Sequence, residues 1–159
     1  MSKIKIESPY PRLLVKDWYP PHEVVQFSQE HILWLLRHIL DLRRDYYPEE
    51  KVPASPESKS TSNTEVCLVS PVLLYIRLTQ CLKKCGLDGL ILLAWEGLDM
   101  IVGELGQYLN QSSSEVIERA QIALRYVSYE LQHQGEDPVT YQEFKHLAEL
   151  ADKQPKNRE

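Results

Sequence analysis

An all-α fold, a single bundle of five helices, follows from three features of the sequence. Leu87 to Leu109 reads LDGLILLAWEGLDMIVGELGQYL and is apolar on nearly every face, as a helix in the middle of a bundle must be. The stretches on either side carry apolar residues at spacings of three and four, the period of a helix. Helix starts and stops, Ser or Thr before and Gly after, fall at the edges of those stretches. No segment has the alternation of a convincing strand.

The same apolar run raises the membrane reading, and charge removes it. Asp88, Glu96, Asp99 and Glu104 interrupt the run, and no Lys or Arg in it could neutralise them. Its uncharged piece from Gly89 to Trp95 is far short of the roughly 20 residues a span needs. Each central acid would add about 2.5–3.5 kcal/mol to insertion.

At 159 residues the chain is one helical domain, 1–159, with enough length for a real core. Its 43% hydrophobic and 26% charged residues are ordinary for a globular protein. A net charge of −5 and a pI of about 5.6 argue against nucleic acid as a partner, although Arg37, His38, Arg43 and Arg44 form a local basic cluster. No apolar stretch follows a basic start, so no secretory signal is expected. Three cysteines, an odd number, suit reduced thiols and a cytoplasmic location.

Residues 1–20 form an extended arm, because prolines at 9, 11, 20 and 21 oppose helix. Its Leu13, Leu14, Val15, Trp18 and Tyr19 would lie across the bundle and cap the core. Pro21 suits a first helical position, and the helix should run to about Asp45. Val25, Ser28, Ile32, Leu35, Ile39, Leu42 and Tyr46 make one seam, with Leu33, Leu36 and Leu40 beside it. Residues 49–65 are rich in Pro, Ser and Thr, with almost nothing to bury, and read as a long disordered loop.

Ser70 and Pro71 open a helix to Cys85, closed by Gly86. It carries Arg77, Lys83 and Lys84 and no acid, so it should pair as an antiparallel hairpin with the acidic central helix, 88–110. Gly103 and Gly106, three apart, should let a neighbouring backbone approach that central helix. Ser112 and Glu115 have capping-box spacing and open a helix to Gln134, with a stripe of Val116, Ala120, Ala123, Val127 and Leu131. Thr140 and Glu143 repeat that spacing at the last helix, and the tail 154–159 should fray.

Two acidic pairs carry the chemistry a site would need. Glu96 and Asp99 are three apart on one face of the central helix, and Glu115 and Glu118 are three apart on the next. Such pairs on adjacent antiparallel helices could hold a divalent cation through oxygen ligands. The two pairs resemble the ExxE and ExxD motifs of the all-α NTP pyrophosphatases of the MazG type, here in the opposite order and with no matching Lys or Asn. The resemblance implies the alternative function, a small metal-dependent nucleotide hydrolase. The preferred reading pairs Glu96 and Asp99 with Arg77, Lys83 or Lys84, and sets Glu115 and Glu118 against a helix dipole.

Other constellations are weaker. Cys81 and Cys85 are four apart on a core stripe and read as small buried hydrophobes, not zinc ligands. Glu143 and His146 form a single ExxH, where a di-iron site needs two with further glutamates. The sequence holds no P-loop, GxGxxG, nucleophile elbow or HExxH. The expected function is therefore a non-enzymatic interaction module, an accessory subunit or adaptor with no cofactor, no nucleic acid and no membrane. Its interface, to a protein partner or as a homodimer, would use Trp18, Tyr19, Trp34, Arg37, Tyr126 and Tyr129.

Overall fold

A computed structural model describes residues 15–50, 70–133 and 139–153, and within them the chain is all-α. Eight α-helices and one π-helical turn occur among the described residues, more than the five expected. They are α1 (Pro21–Val24), α2 (Gln29–Arg37), α3 (Ile39–Arg43), α4 (Pro71–Lys84), α5 (Leu87–Leu92), a π turn (Leu93–Gly97), α6 (Val102–Leu109), α7 (Ser113–Gln132) and α8 (Tyr141–Lys153). Most of the arm at 1–20, most of the loop at 49–65, Cys67, the Gly135 stop and the tail 154–159 lie outside the described residues.

The extra helices come from two breaks. The stretch expected as one helix from Pro21 divides first at Phe27, whose φ of 56° is a conformation bulky residues rarely take. Hydrogen bonds hold it there: the Phe27 carbonyl accepts from Ser128 Oγ at 2.7 Å and from Gln132 Nε2 at 3.1 Å, both on α7. Ser28 then caps α2. Its hydroxyl accepts from the His31 amide, and its own amide donates to His31 Nδ1 at 3.2 Å, a capping box with His in the usual Glu or Gln position. A second irregularity at His38 separates α2 from α3. At the end of α3, Asp45 is left-handed, and its carboxylate accepts from the Val72 amide at 3.1 Å, supporting the start of α4.

The other broken stretch is 87–109, and here the expectation of a central helix is overturned. After α5 the hydrogen bonding widens: Leu98 N donates to Leu93 O at 3.0 Å and Met100 N to Ala94 O at 2.9 Å. Asp99, at φ 63°, reverses the chain before α6 begins. Gly97 lets this turn meet α2, since a Cβ there would stand 3.0 Å from the Leu36 carbonyl oxygen. The centre belongs to α7 instead, against which α2, α4, α5, α6 and α8 all pack. Its Val116, Ala120, Ala123, Leu124 and Val127 are fully buried. Burying a side chain such as Leu124 contributes about 1.5–3 kcal/mol, and Ala120 and Ala123 admit close neighbours. The 87–109 stretch, by contrast, leaves Leu87, Leu90, Leu98, Ile101 and Tyr108 exposed.

The glycines divide in the same way. A Cβ on Gly89 would lie 2.1 Å from the Leu82 carbonyl oxygen, so α4 and α5 cross there at backbone contact. One on Gly106 would lie 2.5 Å from the Gln111 oxygen, where left-handed Asn110 turns the chain back into α7. A Cβ on Gly103 would have nothing within 4 Å among the described residues, which corrects the expected close approach at that position. Urea unfolding separates the two kinds of glycine. Gly89→Ala should destabilise by about 1–3 kcal/mol or more through overpacking. Gly103→Ala should be neutral or stabilise by up to about 1 kcal/mol.

Candidate functional site

The polar centre of the molecule is one carboxylate that the sequence reading passed over. Asp88 stands in the first turn of α5, two residues after the positive-φ Gly86, and is 2% exposed. Arg119 reaches it from α7, with Nε 2.6 Å from Oδ1. From α8, the Tyr141 hydroxyl donates to Oδ2 at 2.5 Å and Lys145 Nζ lies 3.1 Å from the same oxygen. Arg119 also donates to Gln111 Oε1 at 3.0 Å. The ring of Tyr141 meets Tyr126 edge-on, with centroids 5.3 Å apart, and Phe144 packs on Tyr126 in the same manner.

The electrostatics follow from this geometry. Burial pushes the Asp88 carboxyl up, but hydrogen bonds from Tyr141, Arg119 and Lys145 outweigh it and hold the group below the usual carboxylate range. Burial, then the hydrogen bond to Asp88, raises Tyr141 above the ordinary tyrosine range and keeps it a donor. A carboxylate engaged by three donors is a poor general base. Its chemistry is that of a cross-tie joining α5, α7 and α8.

The four acids of the hydrolase reading are used separately. Glu96 sits in the π turn and pairs with Arg37 of α2 at 3.1 Å, not with Arg77, Lys83 or Lys84. Asp99 is exposed in the left-handed turn beyond it, so the two do not share a helix face. Glu115 closes the capping box of α7, accepting from the Ser112 amide at 2.9 Å, and Glu118 is exposed. Among the described residues, no group of three or more His, Cys, Asp and Glu is placed to hold a metal. Lys84 pairs with Glu130 of α7 at 3.0 Å, so the charge expected to join α4 to the 87–109 stretch reaches the central helix instead.

Cys81 in α4 and Cys85 at its C-terminal cap are buried thiols. Burial pushes Cys81 up to about 11 and Cys85 further, which leaves both unreactive at neutral pH. Glu143 closes the capping box of α8 with Thr140, and His146 is exposed. Buried His31 is lowered below its ordinary value, chiefly by desolvation, as suits a ring nitrogen accepting the Ser28 amide.

The aromatic residues expected at an interface are mostly enclosed within the chain. Trp34 is 2% exposed, and its indole donates to the Asp17 carbonyl at 3.0 Å. Tyr19 is buried edge-on against Trp34, and its carbonyl accepts from the Tyr47 hydroxyl. Trp18 is half-buried and donates to the Pro48 carbonyl at 2.7 Å. Tyr126 is buried, and Tyr129 is half-buried and stacked on His133. Arg37 remains exposed and holds Glu96. Thus residues 15–20 do cap the core, and the surface expected of these aromatics is spent on that packing.

The exposed apolar residues fall elsewhere, among them Leu90, Leu98, Ile101 and Tyr108 in the 87–109 stretch. Their signal in the sequence is an apolar run that carries acids and no base. No family model matches the chain, and neither a curated protein nor a solved structure matches it.

The cross-tie gives a direct test. Asp88→Asn leaves Arg119 and Lys145 uncompensated and should cost about 3 kcal/mol at pH 7, the lower end of the range for a broken buried pair, because both cations keep some access to water. The lowered folded value means the carboxylate stabilises the fold above roughly pH 3.9 and ceases to as the pH falls through that folded value. Denaturant titrations of the two proteins should therefore show a gap that is full at pH 7 and closes in acid.

Proposed function

We propose that this chain is a non-enzymatic protein-interaction module, an accessory subunit or adaptor that works by contact with a protein partner or a second copy. The observation that supports it best is the pattern of exposed apolar side chains. Leu73 and Ile76 on α4, Leu87 and Leu90 on α5, and Leu147 and Leu150 on α8 are pairs three apart, each sharing one helix face. Leu98, Ile101 and Tyr108 add a fourth apolar group around α6. Apolar patches gathered on helix faces mark contact surfaces more often than scattered single residues do.

The polar groups support the same reading over the hydrolase. Glu96 is held by Arg37, Glu115 by the start of its own helix and Asp88 by three donors. A cytoplasmic setting fits the buried, unbridged thiols of Cys81 and Cys85. A net charge of −5 fits a protein partner better than nucleic acid. Among the described residues, no helix is long and apolar enough to cross a membrane.

Sedimentation velocity at up to about 100 μM, where a contact of roughly −5.5 kcal/mol is half-populated, reads self-association. Cross-linking in the native cell reads a hetero-contact. The proposal expects a defined dimer or one partner at fixed stoichiometry. A monomer with no cross-linked partner overturns it.

A further inference from the structure

The break between α5 and α6 produces a surface with its own chemistry. The π turn and left-handed Asp99 leave Leu98 at 50% exposure and Ile101 at 63%, and Tyr108 near the end of α6 reaches 80%. Among the described residues, nothing packs over these three side chains closely enough to bury them. Turns of the π type and left-handed residues other than Gly are features that concentrate where a protein meets something else.

Charge gives the surface a sign. From Leu87 to Glu118 the sequence has six acids and no Lys or Arg. Asp88 and Glu96 are neutralised from within, by Arg119 with Lys145 and by Arg37. Asp99, Glu104, Glu115 and Glu118 are exposed, on α6, the turn before it and the opening turns of α7. Apolar residues framed by acids fit a partner whose apolar stripe is framed by bases.

Gly103 adds an independent observation. It lies within α6, where Gly costs about 1 kcal/mol against Ala, yet among the described residues nothing stands within 4 Å of an added Cβ. It lies on the exposed half of α6, one turn before Gln107 and beside the row of Glu104 and Tyr108. A missing side chain there admits a partner's backbone. Ile101 and Tyr108 are seven residues apart, about 10 Å at 1.5 Å per residue, which matches two apolar residues seven apart on a facing helix.

We propose that Leu98, Ile101, Gly103 and Tyr108, with Asp99 and Glu104 around them, form the docking face for a basic amphipathic helix of a partner protein. This rests on the interaction reading above and names the surface and the partner's chemistry.

The test uses the full chain in its native cell, with the photo-cross-linking residue p-benzoylphenylalanine placed at Tyr108 or, separately, at exposed Leu73 of α4. Mass spectrometry identifies the peptide captured at each position. The proposal expects capture at Tyr108 of a peptide with apolar residues at helical spacing flanked by Lys or Arg. Adding Gly103→Leu should cut the yield by about tenfold or more, with a melting temperature unchanged or raised, because the position is open and Leu favours helix over Gly. Capture at Leu73 alone overturns this surface and leaves the interaction reading standing. Capture at neither position overturns both. Capture at Tyr108 of an acidic segment, a second copy, a lipid or a nucleic acid overturns the basic helix, as does a Gly103→Leu yield equal to that of the parent.

Discussion

A single buried carboxylate constrains how the second half of this molecule closes. Asp88 cannot be left without partners at 2% exposure, since an isolated buried charge would cost several kcal/mol. Arg119, Tyr141 and Lys145 satisfy it from two other helices. That requirement sets the placement of α8 on α7, because Tyr141 and Lys145 lie four apart and must both point at α5. The aromatic packing of Phe144 and Tyr141 on Tyr126 then follows from the same docking. Gly89 belongs to this constraint as well, since backbone contact with Leu82 brings Asp88 within reach of its partners.

On the other side of α7, backbone carbonyls do comparable work. The Phe27 oxygen takes bonds from Ser128 and Gln132, which holds a left-handed residue in place and fixes where α1 ends and α2 begins. Residues 15–20 then lie over α2, held by the Trp34 and Tyr47 side chains. Helix α7 thus carries polar attachments on either side of a middle whose inner face, Ala120, Ala123, Leu124 and Val127, is apolar. Of the neighbours it gathers, α4 and α5 are tied to it by the directional pairs Lys84–Glu130 and Asp88–Arg119 as well as by packing.

Local chemistry was the legible part of the sequence. Ser70 with Pro71 and both capping boxes begin helices where their spacing says they should, and the apolar stripe of α7 is the buried one. These signals act over three or four residues, so the chain near them decides the outcome. The breaks at Phe27 and Leu93–Gly97 were not legible, because each depends on partners far along the chain: Ser128 for one and α2 for the other. The choice of centre failed for a related reason. A stretch apolar on all faces can occupy the middle of a bundle, but it can equally bury one face and offer the other outward, and hydropathy does not distinguish these. Small residues such as Ala120 and Ala123, which admit neighbours on several sides, were the better sign of the centre. Asp88 was visible only as an interruption. Its partners, 31 and 53 residues away at Arg119 and Tyr141, carry no local signature.

Native-state hydrogen exchange tests the arrangement most directly, since it ranks each helix by the free energy needed to open it. Amides from Ala120 to Val127 in α7 should exchange most slowly, through global unfolding alone. Those of α6 and of the turn before it should exchange through smaller openings, because that segment packs on one side only. Slowest exchange within 87–109, with α7 opening earlier, would contradict a bundle centred on α7 and restore the apolar run to the core.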